Sequence, residues 1–278
     1  MSYRDSISWC KAVLLTCVLA FATTSNTSLA QNELSGLSSL PSEKTTPPPA
    51  CAPAPKDPSV WDKSVTAGYN YTEGNSNASS LNANGKVSRD FENNAWRFEA
   101  DYNRGDAAAT ADDQRTTTVE NVRGVADYKR IFDDTWFAGV GASVFHDEIA
   151  DLRYRGILSP GVGAFLVRND DVKFSLEAGP AYVWEKKGSE SDNFLAPRIA
   201  NRFSYKLSET ARIFQTAEYL VSADDSENYI VTAEAGIEAA LTSLVNIVFI
   251  VRDNYINSPA AGRQPNDVQT ITGLKINL

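Results

Sequence analysis

Hydrophobic and polar residues alternate along most of the chain, most clearly in residues 268–278. Val268, Leu274 and Ile276 fall on one face of this segment, and Lys275 falls on the other. Successive side chains of a β-strand point to opposite faces, so the alternation predicts a strand with one apolar and one polar face. Segments of about ten residues with this pattern recur from residue 61 onward, as a closed barrel in a membrane requires.

Turn-forming residues divide the chain after Trp61 into about twelve segments of strand length. Bacterial outer-membrane barrels have an even number of antiparallel strands, so this count fits them. The predicted fold is all-β, an antiparallel transmembrane β-barrel of about twelve strands. The predicted strands are Ser64 to Thr72, Ala78 to Ser88, Ala95 to Arg104, Thr118 to Lys129, Thr135 to His146, Arg153 to Val167, Val172 to Glu185, Phe194 to Leu207, Ala211 to Ala223, Tyr229 to Leu241, Asn246 to Asn257 and Val268 to Leu278.

The connections between these strands alternate in length, which predicts their orientation in the membrane. Such barrels have short periplasmic turns and longer extracellular loops. The short connections are Asp90 to Asn94, Arg130 to Asp134, Asn169 to Asp171, Ser208 to Thr210 and Thr242 to Val245. The connections expected outside the cell are Glu73 to Asn77, which is short, and the longer Gly105 to Thr117, Asp147 to Leu152, Lys186 to Asn193, Asp224 to Asn228 and Ser258 to Asp267.

Aromatic residues fall near both ends of the predicted strands, as the aromatic belts of a membrane protein do. The belt at the short-turn end contains Trp96, Tyr128, Trp136, Phe174, Phe203 and Tyr205. The belt at the long-loop end contains Tyr71, Tyr102, Tyr154, Tyr182, Trp184, Tyr219, Tyr229 and Tyr255. A soluble β-protein with scattered core aromatics is the alternative, and it does not explain two consistent heights.

Pro160 and Pro180 interrupt the pattern in the middle of two predicted strands. Proline has no N–H to donate to a strand ladder, and Gly161 and Gly179 beside them permit tight bending. The sequence therefore predicts a bulge or kink where these two strands pair.

The N-terminus has the features of a cleaved secretory signal at residues 1–30. Arg4 and Lys11 precede an apolar run from residue 12 to 22, and Ser28 and Ala30 provide the small residues of a cleavage site. Cleavage near Ala30 would place the protein in the envelope of a Gram-negative bacterium.

The segment that follows the signal, residues 31–58, is rich in proline and is predicted to be a disordered periplasmic linker before a barrel at residues 59–278. Cys17 leaves open lipoprotein processing, although Thr16 before it is larger than the usual residue there. Cys51 is the one cysteine beyond residue 30, so an internal disulfide is excluded in the cleaved chain and an intermolecular one stays open.

Composition supports an exported barrel and excludes some functions. The 278 residues carry a formal charge of -9, and the mean hydropathy of -0.30 is too low for a bundle of apolar spanning helices. With an isoelectric point near 4.8 and dispersed basic residues, no nucleic-acid partner is expected.

The polar faces of the predicted strands carry charges of both signs, and these residues are the predicted lining of the lumen. They are Arg97, Glu99, Asp101, Arg123, Glu177, Arg198, Arg202, Glu218, Glu234, Glu238, Arg252 and Lys275, with Asp127, Arg155, Lys206 and Arg212 on the same faces. In one interpretation they line a narrow channel and tune its ion selectivity. In the other, which the mixed signs favour, they pair across the lumen and plug it.

Short motifs resemble a known family. They are residues 61–68 (WDKSVTAG), residues 74–76 (GNS), residues 159–163 (SPGVG) and residues 176–180 (LEAGP). Together they resemble the family of salt-induced outer membrane proteins, which is defined by a domain of unknown function, loosely over residues 60–278. The resemblance implies an outer-membrane barrel with a structural or envelope-adaptive role, including salt or osmotic stress, and it brings no catalytic residues. The terminal Leu278 departs from the aromatic residue with which outer-membrane assembly signals usually end.

Catalysis and metal binding have little support in the sequence. An outer-membrane lipid-modifying enzyme would need a base such as His146 beside a nucleophile, but Ser143 is three positions away and so on the opposite face. Acidic residues Asp224, Asp225 and Glu227 lack the spacing of a calcium loop. We expect no enzyme activity, cofactor or metal. The expected partners are outer-membrane lipid, lipopolysaccharide and the barrel-assembly machinery, and the oligomeric state stays open.

Overall fold

The computed structural model describes residues 60–72, 77–91, 93–108 and 114–278. Within them the chain forms twelve strands in one closed barrel. They are β1 (Asp62–Thr72), β2 (Asn77–Phe91), β3 (Asn94–Ala108), β4 (Thr116–Ile131), β5 (Trp136–Asp147), β6 (Leu152–Arg168), β7 (Val172–Lys187), β8 (Glu190–Lys206), β9 (Ala211–Val221), β10 (Tyr229–Ala240), β11 (Val245–Ile256) and β12 (Asn266–Asn277). The predicted signal peptide (1–30) and linker (31–58) lie outside these residues and stay predictions.

The barrel closes because every strand pairs antiparallel with its neighbour in sequence and β1 pairs with β12. The closing ladder joins Ser64–Ala67 to Leu274–Asn277. Closure removes the free strand edges that would otherwise expose backbone N–H and C=O groups to lipid. The predicted transmembrane β-barrel is confirmed.

The alternation in the sequence separates the two faces of the barrel wall. On β1, Val65 is exposed on the outside and Thr66 is buried inside. On β12, Leu274 and Ile276 are exposed, whereas Ile271 is buried. An outside of apolar side chains suits lipid, because hydrocarbon does not compete for hydrogen bonds.

Aromatic rings cluster at both ends of the wall. Trp96 packs on Tyr128 near the short turns, with ring centroids 4.5 Å apart. At the other end Tyr229 lies between Tyr219 and Tyr255, at 5.9 and 5.7 Å. These clusters correspond to the two predicted belts, whose amphipathic rings suit the headgroup levels of a bilayer.

One predicted loop is wrong. The segment Lys186 to Asn193 is not a loop, because β7 continues to Lys187 and β8 begins at Glu190. Gly188 adopts a positive φ of 56°, which lets a two-residue turn join the strands. The segment is polar on both faces, but its residues pair across the β7–β8 ladder as far as Lys187↔Glu190.

The two prolines Pro160 and Pro180 interrupt the ladder between β6 and β7 without adding a bulge there. Between β6 and β7, Leu158 pairs with Tyr182 and Val162 with Ala178, but the three positions between them are skipped. The register is the same on both sides of the interruption, so no extra residue is inserted. The shifts in register between these strands lie elsewhere, at Leu152/Tyr154 and Phe165/Val167. The predicted distortion is therefore a gap in hydrogen bonding, because proline has no N–H to donate.

The turn between β4 and β5 is held by a side chain. The carboxylate of Asp133 accepts hydrogen bonds from the backbone N–H groups of Trp136 and Thr135, both at 2.7 Å. These two bonds hold the pKa of Asp133 below its usual value. Among the described residues, none belongs to a helix long and apolar enough to cross a bilayer.

Candidate functional site

Charged side chains on the inner positions of the strands fill the lumen with ion pairs. Each of the twelve predicted lumen residues points inward and lies within ion-pair distance of an opposite charge. These residues are Arg97, Glu99, Asp101, Arg123, Glu177, Arg198, Arg202, Glu218, Glu234, Glu238, Arg252 and Lys275. Their geometry is that of a network rather than of isolated charges.

One branch of the network crosses the lumen from β8 to β4. The Nη2 atom of Arg202 lies 3.0 Å from Oδ2 of Asp127. The same Oδ2 accepts a bond of 2.8 Å from Nε of Arg97 on β3. Three strands separate β4 from β8 around the wall, so this carboxylate joins distant parts of the barrel.

A second branch crosses from β11 to β3 and is centred on Asp101. Its carboxylate accepts from Arg123 at 3.0 Å, from Arg252 at 3.3 Å and from Asn84 at 2.9 Å. Arg252 also pairs with Glu234 on β10 at 2.7 Å. Because Asp101 receives several charged donors, its ionised form stays compensated inside the barrel.

A third branch joins β4 to β7, β8 and β9 and includes a residue absent from the predicted set. Glu177 on β7 accepts from Arg198 at 2.6 Å and from Lys129 at 2.8 Å, and Arg198 also binds Glu218 at 2.6 Å. Lys129 is the last residue of its predicted strand. It lies two positions after Asp127, and this spacing places both side chains on the same face of the strand.

The short-turn end of the lumen has its own cluster around Glu238. Arg212 pairs with this carboxylate at 2.6 Å and Lys275 at 2.9 Å, and Asn246 also donates to it. The Lys275 side chain therefore meets a carboxylate rather than open water.

The most buried charges lie at the long-loop end, between β6 and β7. Glu185 is 1% exposed and accepts from Nε of Arg155 at 2.7 Å, and Lys187 lies 2.7 Å from its second oxygen. Glu185 and Lys187 are absent from the predicted set, because the sequence placed a loop from Lys186 onward. The Nη2 atom of Arg155 is buried without a hydrogen-bond partner.

A cavity of about 470 Å³ occupies the part of the lumen nearer the long loops. The ends of the long loops contribute Ile149, Ala150 and Arg263, and charged side chains of the network form its walls and floor. Seven of the lining residues are arginines, namely Arg97, Arg123, Arg155, Arg198, Arg202, Arg252 and Arg263. We call this cavity the vestibule.

Apolar side chains also face the lumen below the vestibule. Phe137 is 1% exposed, with its ring 4.8 Å from that of Phe165 and with Lys129 Nζ 4.1 Å from its centroid. On the opposite wall Phe214 packs against Gly236, where a Cβ would come within 2.6 Å of its ring, and Val248 is also buried. None of these four apolar residues, Phe137, Phe165, Phe214 and Val248, lines the vestibule. We call them the apolar layer; they lie at the short-turn end of the lumen, beside the Glu238 cluster.

The residues considered for catalysis do not come together. The Nδ1 atom of His146 lies 2.8 Å from the Arg153 carbonyl oxygen, and Nε2 lies 3.7 Å from Glu148. Ser143 lines the vestibule, whereas His146 is on the outer face of β5. In the part of the chain that the structure describes, no group of three or more His, Cys, Asp and Glu side chains is arranged to hold a metal.

The closed wall, the apolar outside and the charged inside define a porin-like β-barrel of the outer-membrane type. The chain belongs to the family described as "Protein of unknown function, DUF481", whose sequence model matches residues 65–277. No curated protein matches the chain.

Solved structures with a similar arrangement of strands include two porins and an autotransporter domain. The NanC porin is 14% identical, with a TM-score of 0.48, over 78% of this chain and 100% of its own. The KdgM porin is 11% identical, with a TM-score of 0.43, over 79% and 99%. The translocator domain of NalP from Neisseria meningitidis is 13% identical, with a TM-score of 0.40, over 78% and 87%. These similarities are too distant to transfer a function.

Proposed function

We propose that the protein is a structural barrel of the Gram-negative outer membrane, with a lumen closed to through-flow. The observation that carries the proposal is the pair of ionic bridges across the lumen, Arg202 to Asp127 and Arg252 to Asp101, above the apolar layer. Opposite charges at these distances satisfy each other, so they brace the wall instead of attracting ions from water.

The outer membrane is the proposed location because a barrel of this kind needs lipid around it. Outward residues such as Val65 and Leu274 are exposed, and the tyrosine cluster Tyr219–Tyr229–Tyr255 lies near the long-loop end. We propose lipopolysaccharide as the lipid around that end, the barrel-assembly machinery as the insertion partner and signal cleavage near Ala30 as the export step.

A role in salt or osmotic stress is the adaptive part of the proposal. It is supported by the resemblance to salt-induced outer membrane proteins and by the burial of the luminal ion pairs. Ion pairs shielded from water are screened by salt much less than surface pairs. A barrel braced in this way would keep its shape when external salt rises.

An ion or small-solute channel is the second candidate, and the vestibule is the observation that favours it. Its arginines would attract anions if a path continued to the periplasm. The apolar layer around Phe137 argues against that path. We propose no enzyme activity, since His146 and Ser143 are on opposite faces; an unchanged phenotype of His146→Ala would agree with this.

Single-channel recording tests the closed lumen. The protein is purified from the outer-membrane fraction, and its gel mobility must change on boiling, as that of a folded barrel does. We expect no conductance steps from the wild type in a planar bilayer. The triple variant Phe137→Ala, Phe214→Ala and Arg202→Ala removes two rings of the apolar layer and one bridge, and we expect it to conduct.

The control for this experiment is the double variant Lys206→Ala and Glu209→Ala, which removes an exposed ion pair at a short turn. It should stay silent. Reproducible steps from the wild type would refute the closed lumen and favour the channel.

A further inference from the structure

The junction of β1 and β12, where the barrel closes, is paired over only part of its height. β1 pairs with β12 at four positions, from Ser64↔Asn277 to Ala67↔Leu274. On its other side β1 pairs with β2 over its whole length, from Asp62 to Thr72. β12 likewise pairs with β11 up to Asn266. The β1–β12 ladder therefore ends near mid-wall, although both strands continue toward the outside of the cell.

Two glycines mark the point at which the ladder ends. Continuing the register from Ala67↔Leu274 places Gly68 opposite Gly273. A Cβ on Gly68 would overlap the carbonyl oxygen of Thr272, and a Cβ on Gly273 would lie 2.6 Å from the carbonyl oxygen of Ala67. The backbones touch there because neither residue has a side chain, and beyond this contact the strands leave the ladder.

We call residues 68–70 of β1 and 271–273 of β12 the seam. Backbone outside a ladder is tolerated at membrane depth where it lines a water-filled cavity or is covered by protein. The vestibule reaches β12 at Asp267, Val268 and Gln269, just above the seam. At the seam β1 is held by β2 and β12 by β11, but no ladder joins β1 to β12.

Polar side chains face the inner side of the seam. The Nε2 atom of Gln269 on β12 donates to Oδ1 of Asn82 on β2 at 3.3 Å, so this bond spans the inner surface of β1. Asn82 pairs with Gly68, at the end of the ladder. Asn82 is 4% exposed, and its Nδ2 is buried without a hydrogen-bond partner. A buried donor of this kind is costly, so it points to an acceptor that binds beside it.

The outer side of the seam is apolar and accessible. Tyr69 is 65% exposed, and Thr270 and Thr272 present their small side chains to the outside. A ligand at the seam would therefore meet lipid and an aromatic ring on one side. On the other side it would meet the side-chain amides of Asn82 and Gln269.

We propose that the seam is a lateral opening through which a single-chain amphiphile with an acidic headgroup passes between the outer leaflet and the vestibule. The alkyl chain lies against Tyr69 in the lipid, and the headgroup accepts from Asn82 inside. This inference rests on the proposed placement in the membrane, but it does not require a closed lumen. Single-channel recording and the test below can therefore fail independently.

Cross-linking tests whether the seam opens. In a Cys51→Ser background, Asn70→Cys and Ile271→Cys place thiols opposite each other across the seam, and Val65→Cys with Ile276→Cys is the matched pair inside the ladder. Under mild oxidation we expect the ladder pair to form a disulfide and the seam pair to form little. Equal disulfide yields from the two pairs would overturn the opening.

Binding of dodecanoate tests the ligand. A short bis-methanethiosulfonate that ties the seam pair should lower dodecanoate binding at least tenfold, and cleavage of the tie by a reducing agent should restore it. The same reagent on the ladder pair should have no effect. Unchanged binding in the tied protein, with the gel-mobility shift of a folded barrel, would refute the route. Dodecanol tests the headgroup, because equal binding of the alcohol would refute an acidic ligand.

A point variant provides an independent reading of the same site. Asn82→Ala removes the unpartnered donor, and we expect dodecanoate binding to weaken about tenfold, the equivalent of one hydrogen bond of about 1.4 kcal/mol. Asn201→Ala is the control, since Asn201 on β8 is a luminal asparagine in another part of the wall, where its Nδ2 donates to Gln215 on β9 at 2.8 Å. Equal losses in the two variants would contradict a specific role for Asn82.

Discussion

The ion pairs of this barrel differ widely in burial, and therefore in how much the loss of one partner destabilises the fold. Glu185 is enclosed and meets Arg155 and Lys187, whereas Glu209 is largely exposed and meets only Lys206. Removing one partner of a buried pair leaves the other charge without compensation, and this is far more destabilising than the loss of a surface pair.

We predict that Glu185→Ala lowers the free energy of unfolding by about 3 to 5 kcal/mol, because Arg155 would stay buried without its carboxylate. The matched variant Glu209→Ala should change it by less than about 1 kcal/mol. Urea titration in detergent micelles, followed by tryptophan fluorescence, measures both values. Similar losses in the two variants would show that Arg155 escapes to water when Glu185 is removed.

At the scale of elements, tight hairpins fix how far the strands extend beyond the lipid. The β7–β8 hairpin is the clearest case, since two residues connect a pair of strands that end at Lys187 and Glu190. Its turn depends on the left-handed conformation of Gly188, beside Asp151, which also has a positive φ of 51°.

We predict that Gly188→Ala destabilises the barrel by about 1 to 2 kcal/mol, since an L-residue in the left-handed region is strained. A Cβ there would also approach Oδ2 of Asp151 to 3.2 Å. Gly85→Ala is the control, because nothing lies within 4 Å of a Cβ at that position. The midpoint of the gel-mobility change on heating compares the variants, and equal midpoints would contradict the strain.

At the scale of the whole molecule, ion pairs connect strands that the ladder alone leaves far apart. Arg252 and Asp101 are separated by 151 positions in the chain and meet across the lumen. Such contacts resist flattening of the barrel in a way that neighbouring strands do not. The effect of external salt on the stability of the barrel depends on how far water and ions reach these charges, because buried ion pairs are screened less than exposed ones.

We predict that the luminal pairs keep their strength at high salt. A double-mutant cycle on Glu177 and Arg198, whose side chains are only 12% and 7% exposed, should keep most of its coupling energy in about 1 M NaCl, where exposed charges are screened within about 3 Å. The cycle on Lys206 and Glu209 should lose its coupling. Equal losses from both cycles would show that salt enters the lumen and would weaken the stress-related role.

The alternation of hydrophobic and polar residues and the lengths of the connections predicted most of the fold, but they did not identify several of the residues that face the lumen. Alternation located the twelve strands, since each predicted segment overlaps a strand of the barrel. The predicted lumen residues do not include Lys129 and Glu185. Both are the last residues of their predicted strands, where the alternation of faces ends with the strand. The sequence pattern also placed a loop at Lys186 to Asn193, because polar sequence there indicates water and not the absence of a strand.

The sequence by itself determined which side chains face lipid and which face the lumen, because a period of two leaves each residue of a strand only one face. The terminal strand shows this, with Leu274 and Ile276 outside and Lys275 inside. Tertiary structure alone decided which charges meet, and that Lys275 ends at Glu238. It also decided that the ladder between β1 and β12 ends at Gly68 and Gly273. These outcomes depend on closure of the barrel, which brings together residues that no local pattern connects.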